Sequence, residues 1–224
     1  MELNEASQQS SLEAVGAADA DLVCLQEVTP DWEVALRARY GAKYPYMLFH
    51  TDGGAAGLAA LSRFPLTDLG LREGPGGWHP AWHFLAENPG DTLQVINVHL
   101  RSLLSGDGNP VQSYLSTGSD HLRQIESFTA DSDAQLSTIV LGDFNEDPDG
   151  SAVRYLERLG FQNALPLYHP GQPTWRYGSV GDQLSKTFDH ILFDQSLRSL
   201  NSWVVQQGAS DHLPVVAHLE PYEW

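Results

Sequence analysis

The chain has 224 residues, 42% of them hydrophobic, enough for a sizeable core, and no linker, repeat or low-complexity tract divides it, so residues 1–224 are expected to form one domain. Its 12 Lys and Arg against 29 Asp and Glu leave a formal charge of −17, which opposes non-specific binding to nucleic acid, because neutralising a phosphate backbone takes cations. A single cysteine excludes an internal disulfide, no run reaches the roughly 18 apolar residues of a membrane span, and "MELNEASQQSS" lacks the build of a secretory signal, so the expectation is a soluble chain, cytoplasmic or secreted after processing.

In chain order, residues 5–17 form a weak helix candidate, and "LVCLQ" (22–26) is the first strand-length apolar run, with Cys24 as a small buried hydrophobe. Thr29 and Pro30 then have the chemistry of an N-cap and a first helical position, Trp32, Leu36 and Tyr40 share a helix face, and Gly41 follows. Strands are predicted at "YMLFH" (46–50), "GLAALS" (57–62), "AWHFLAE" (81–87) and "LQVINVHL" (93–100), the last two joined through "NPGD" as an antiparallel hairpin. Residues 102–118 read as a long loop, of the kind that borders functional sites, before a helix over 119–129 with Leu122, Ile125 and Phe128 on its apolar face. "STIVLG" (137–142) is another strand, and a helix over 151–159 closes at Gly160. "FDHILFD" (188–194), "SWVVQQ" (202–207) and "PVVAHLE" (214–220) complete the strands. Many strands with few helices predict an α/β (α+β) protein in which two sheets pack face to face with helices outside.

The chemistry lies at the ends of these runs. Glu27 ends the first, His99 ends "VINVH", Asp143 and Asn145 end "TIVLGDFN", Asp189 opens "DHILF", and Asp211 and His212 precede the last. Aligned strands would bring these groups to one rim. Carboxylate and amide oxygens suit Mg²⁺ or Mn²⁺, with Ca²⁺ a further candidate, and a His beside an Asp can be held in one tautomer for acid–base work. Each signal has a plain alternative: Asp143 can satisfy a turn amide, Asp189 can cap a strand, and His99 can be a hydrogen-bonded rim residue. His218, inside "VVAHLE", reads as structural.

The ordered set "LQEV", "LSRFPL", "INVHL", "GDFNEDP", "TFDHILF" and "SDHLPV" closely resembles the endonuclease/exonuclease/phosphatase family, over roughly residues 20–220. The resemblance implies the DNase I-like fold, a four-layer sandwich of two mixed β-sheets flanked by helices. It implies a divalent-metal-dependent phosphoester hydrolase in which an activated water attacks phosphorus in line. Glu27 would bind the metal with Asp211 near or on it, Asp143 would orient or deprotonate the water, and Asn145 would contact the phosphate. His212 would stabilise charge on the phosphoryl group, Asp189 would orient its imidazole, and His99 would contact the phosphate. Arg63 in "LSRFP" reads as structural, and Glu146, Asp147 and Asp149 are expected to serve the N-terminus of the following helix.

One departure stands out. The family usually opens on a strand ending in Asn, and only three residues precede Asn4 here, so the first strand is expected to be missing or very short. The substrate class stays open between a phosphodiester, including nucleic acid despite the acidic charge, and a small or lipid-derived phosphate monoester. Arg101, Arg123, Arg176 and Lys186 are the local cations available. The reading from another class is a binding or scaffold protein that has lost a competent metal site, and retention of Glu27, Asp143, Asn145, Asp189, Asp211 and His212 argues against it.

Overall fold

A computed structural model describes residues 5–51, 53–102, 110–178 and 184–222, with the backbone alone described for residues 5–7 and 110–116. Asn4 lies outside the described residues, as do 103–109 of the predicted loop. The helices are α1 (Glu5–Ala17), α2 (Pro30–Tyr40), α3 (Pro110–Thr129), α4 (Ser151–Arg158) and α5 (Ala164–Tyr168), with a 3₁₀ turn at Pro75–Gly77. The strands are β1 (Leu22–Gln26), β2 (Tyr46–His50), β3 (Leu58–Ser62), β4 (Leu66–Arg72), β5 (Ala81–Asn88), β6 (Asp91–His99), β7 (Ser137–Asp143), β8 (Gln162–Asn163), β9 (Trp175–Tyr177), β10 (Leu184–Lys186), β11 (Asp189–Phe193), β12 (Leu197–Val204) and β13 (Val215–Pro221).

A six-stranded mixed sheet, ordered β4-β5-β6-β7-β11-β8, forms the centre, with β6 and β7 parallel and its other neighbours antiparallel. An antiparallel trio β1-β3-β2 and the hairpin β12-β13 pack on one of its faces. Among the described residues β1 pairs only with β3 and β13 only with β12, and no strand precedes β1.

The period-two alternation of β-strands decides which side chains enter which layer. From β6, Ile96 and Val98 pack against Ile125 and Phe128 of α3 and Val153 and Leu156 of α4. Val95, on the opposite face, joins Phe84, Ala86 and Ala60 between the sheets. In β3, Ala59 and Leu61 turn outward onto Leu36 and Tyr40 of α2. The order from outside to outside is therefore helices, the smaller sheets, the large sheet, and helices again, as the sequence predicted. Each fully buried Leu or Phe in these layers stabilises the fold by about 1.5–3 kcal/mol relative to exposure.

The expected caps are present: Thr29 Oγ1 accepts from Trp32 N, with Pro30 opening α2. The β5–β6 hairpin closes through Asn88 and Asp91. Two elements differ in extent. Helix α3 begins at Pro110, nine residues before the predicted start, so residues 110–118 are helix and not loop; Pro suits a first turn, and Ser113, Ser116 and Gly118 hide the apolar period there. Strand β12 spans Leu197–Val204 where 202–207 was predicted, because pairing with β13 begins at Leu197↔Pro221 and passes a bulge at Ser199/Asn201. Strands β4, β8, β9 and β10 and helix α5 carry too few residues or too little apolar pattern to be read from sequence.

Candidate active site

The same alternation delivers the functional groups. In β6, Val95 and His99 share a face; in β7, Ile139, Leu141 and Asp143 do; in β11, Asp189, Ile191 and Phe193 do, and these are the faces turned to the smaller sheets. His99, Asp143 and Asp189 thus reach the crevice between the sheets at one end, since β6–β7 pairs His99 with Asp143 and β7–β11 pairs Asp143 with Asp189. Glu27 enters from the end of β1 and His212 from the segment between β12 and β13. Phe144 points the other way, fully buried against α3 and α4.

Two glycines permit this convergence. Gly142, at φ 133°, lies so close to β6 that an added Cβ would fall 2.0 Å from Val98 O. Gly57 faces the Glu27 turn, where a Cβ would fall 1.9 Å from Val28 O, and its own carbonyl accepts from Val28 N at 3.1 Å. Glu27 itself is left-handed at φ 57°, an uncommon conformation for a residue other than glycine.

Neighbouring positions on antiparallel strands put the Asp143 and Asp189 carboxylates close together, a repulsive arrangement unless a cation joins them. His212 supplies one: Nδ1 donates to both Asp189 oxygens at 3.0 Å, and Nε2 faces Asp143 Oδ2 at 3.8 Å. Burial works against the imidazolium, but the Asp189 hydrogen bond and the charges of Asp189, Asp143 and Asp211 outweigh it and push His212 up to about 9. Burial and then the charge of Asp189 push Asp143 well above the ordinary carboxylate range. Asp143 Oδ1 accepts from Asn145 N at 2.8 Å and Oδ2 from Asn145 Nδ2 at 3.0 Å. Asn145, left-handed at φ 51°, also donates to Leu100 O at 3.0 Å, so its amide group locks the turn around Asp143.

His99 completes the floor. Its Nδ1 donates to Ala55 O at 2.9 Å, leaving Nε2 3.5 Å from Asp143 Oδ2 and 4.0 Å from Glu27 Oε1. Burial and the adjacent His79, stacked at 4.7 Å, hold His99 down to about 4, so the ring is neutral. Glu27, His99, Asp143, Asn145, Asp189 and His212 are therefore linked directly or through one neighbour. Asp211 stands apart: its side chain is exposed and Oδ2 accepts from Trp175 Nε1 at 3.2 Å.

The donor set suits a hard divalent cation. Carboxylate oxygens of Asp143 and Asp189 lie within 4.8 Å of each other and of a His212 ring nitrogen, which as an imidazolium offers no lone pair, and the Glu27 carboxylate, 66% exposed, reaches the same rim. Oxygen donors crowded enough to raise a carboxyl's pKa are what a bound cation would relieve.

Several contributors were not legible in sequence. His79, Ala55 and Trp175 surround the two site histidines, and Gln26 Nε2 donates to Asn97 Oδ1 at 2.6 Å, tying β1 to β6 beneath them. Glu146 serves α4 as expected, accepting from the N–H groups of Ser151, Ala152 and Val153 at 3.1, 2.7 and 2.9 Å, but it also meets His121 Nδ1 at 3.0 Å. His190 donates from Nε2 to Glu146 O at 2.9 Å while Nδ1 accepts from Asn163. Arg63 pairs with Asp19 and Asp21, away from the site, and Cys24 is pushed up to about 12 by burial among the inter-sheet residues, an inert thiol.

Comparison with known proteins agrees with this fold. The fold is shared with D. rerio TDP2 complexed with a single-strand DNA product (TM-score 0.74, 16% identity, 98% of this chain and 94% of that one). It is shared with an AP endonuclease from Archaeoglobus fulgidus (0.67, 20%, 93% and 95%) and a functionally unknown conserved protein from Enterococcus faecalis V583 (0.71, 20%, 94% and 89%). In sequence, 144 residues are 26% identical to the human endonuclease/exonuclease/phosphatase family domain-containing protein 1, covering 56% of this chain and about a quarter (24%) of that relative's length. The family model for Endonuclease/Exonuclease/phosphatase matches residues 4–212, and the chain belongs to that family.

Proposed function

We propose that this protein is a divalent-metal-dependent phosphoester hydrolase, acting on phosphodiesters, with Mg²⁺ or Mn²⁺ as the metal. The observation that carries the reading is the Asp189–His212 pair aimed at Asp143, a raised imidazolium beside a raised carboxyl at the end of the sheet crevice. Glu27 would hold the ion, with Asp211 adding negative charge nearby. When bound, such an ion supplies Lewis acidity toward a phosphoryl oxygen.

The chain's own groups divide the remaining work. Asp143, held in place by Asn145 at the floor of the crevice, takes the proton of the attacking water in its ionised form. Asn145 fixes both Asp143 oxygens and the turn that carries them. Asp189 holds His212 by its Nδ1–H, so that Nε2–H faces the crevice and stabilises charge developing on phosphorus oxygens. Neutral His99, its Nδ1–H held by Ala55 O, presents an Nε2 lone pair to the same space, where it accepts from a water beside the phosphate. A short phosphodiester is favoured over a polyanionic duplex because, of the four local cations, Arg101 and Arg123 are paired with Asp120 and Lys186 with Asp147, which leaves Arg176, donating to Gln206, to follow a backbone.

The test is hydrolysis of bis-p-nitrophenyl phosphate, p-nitrophenyl phosphate, plasmid DNA and lipid phosphates by chelated protein with Mg²⁺ or Mn²⁺ restored. Diester turnover that appears with metal, vanishes in EDTA and drops at least a hundredfold in His212→Ala is expected. Absence of turnover on the whole panel, or full turnover in chelator with no metal detected, overturns the reading.

A further inference from the structure

We infer that His190 is a positioning residue for this site: from the face of the large sheet opposite the crevice, it fixes the turn that carries Asp143 and Asn145 against the strand that carries Asp189. This rests on the reading above, in which Asp143 takes a proton and Asp189 holds His212. Alternation in β11 turns Asp189 to the crevice and the next residue, His190, to the helix-covered face, where it is 1% exposed. Phe144 turns the same way from the end of β7, and its ring meets the imidazole edge-on, with centroids 5.3 Å apart and 82° between planes.

Both ring nitrogens are used. Nε2 donates to Glu146 O and Nδ1 accepts from Asn163 Nδ2, each at 2.9 Å. An amide nitrogen only donates, so Asn163 fixes Nδ1 as the acceptor and keeps the proton on Nε2, toward the turn. Burial holds the ring below its ordinary range, and so neutral, as this tautomer requires. Asn163 is itself buried and anchored, because β8 pairs with β11 at Leu192↔Asn163.

The turn needs such a hold. It leaves β7 through Asn145, left-handed at φ 51°, a conformation that non-glycine residues keep only where their surroundings impose it. Two bonds to the β11 segment bracket Asn145: Phe144 N donates to Phe188 O at 2.9 Å, and His190 donates to Glu146 O. Asn145 in turn bonds both Asp143 oxygens, through N at 2.8 Å and Nδ2 at 3.0 Å. A shift of Glu146 O therefore passes through Asn145 to the carboxylate, while Asp189 stays with β11. The ring sets the separation of the proton acceptor from the Asp189–His212 pair, although it faces away from the crevice.

The experiment compares His190→Phe, which keeps the volume and the contact with Phe144 but has no donor, with His190→Gln, whose side-chain amide restores a donor at the reach of Nε2. Kinetics of the Mn²⁺-loaded protein on bis-p-nitrophenyl phosphate are read beside the ¹H–¹⁵N signals of the Asn145 backbone and side-chain amides, which report their bonds to Asp143 without turnover. His190→Phe should lower kcat about a hundredfold, the loss expected for a misplacement of about 1 Å, with KM little changed, and should move the Asn145 signals. His190→Gln should recover most of both. Wild-type kcat in folded His190→Phe, Asn145 signals that stay in place, or His190→Gln no better than His190→Phe would overturn the positioning. If His190→Phe does not fold, Asn163→Ala, which keeps the ring but frees its tautomer, should lower kcat at unchanged KM and move the same signals, and wild-type behaviour there overturns the inference equally. A wild-type chain that hydrolyses no phosphoester refutes the hydrolase reading separately, and the Asn145 signals then decide the positioning by themselves.

Discussion

Glu146→Gln removes one charge and replaces one oxygen by an NH₂ group, at a buried position that sequence pattern treats as a helix-entry residue. The carboxylate has two sets of partners: Oε1 accepts from Ala152 N and Val153 N, and Oε2 accepts from Ser151 N and meets His121 Nδ1. An amide whose oxygen stays at the first set turns a donor toward the second: it faces the Ser151 N–H, leaving about one donor unsatisfied, while His121, whose Nε2 donates to Arg101 O, accepts it at Nδ1 as a neutral ring. At about 1–3 kcal/mol for a buried group left unsatisfied, the loss is about 1–3 kcal/mol, and the lost charge at the α4 N-terminus works in the same direction. Against a total stability of about 5–15 kcal/mol this is a clear effect, corresponding to a fall in Tm of about 2–12 °C for a chain of this size. Urea unfolding followed by tryptophan fluorescence, with the slope m unchanged, measures it directly. A loss under 1 kcal/mol would refute the reasoning, since it would mean that the four contacts are not what holds α4 to the Asn145 turn.

The Asp189–His212 pair should behave as one unit: Asp189→Asn and His212→Ala should each lower kcat/KM by about 10²–10⁴, and the double variant should lose little more, whereas losses that multiply would reject the pairing. Gly142→Ala should destabilise the fold and reduce turnover together, because a methyl 2.0 Å from Val98 O forces β7 and its Asp143 away from β6; activity at the wild-type level in a folded variant would contradict that close approach. His83 is held down to about 4 by burial and then by Arg72, below the ordinary 6.5 of the unfolded chain. Above pH 6.5 the ring is neutral in both states; as pH falls toward 4 the unfolded chain takes up a proton that the folded one refuses, so about 3 kcal/mol of stability is lost in that window. Urea midpoints of His83→Gln measured from pH 7 to 4 should show a shallower decline than wild type, and parallel curves would refute the assignment.

The sequence by itself determined most of the layers, because hydrophobic alternation and helix period are local properties. The runs at 22–26, 46–50 and 137–142 became β1, β2 and β7 nearly residue for residue, and Thr29-Pro30 opened α2. The acidic and imidazole residues at strand ends were legible for the same reason: a polar group that ends an apolar run must lie at a sheet rim. Short or polar elements were not. β9 has three residues and β4 is largely exposed, so neither carries a period long enough to read, and the start of α3 was hidden by serines and Gly118. What only the tertiary structure decided is contact between residues distant in the chain: that Ala55 O sets the His99 tautomer, and that Trp175 carries Tyr177 beside the site; the pairing of Asp189 with His212 was already implied by the family resemblance, and the fold makes it at 3.0 Å. These depend on register and close packing between strands, which the free energy of the whole fold selects and no local window contains.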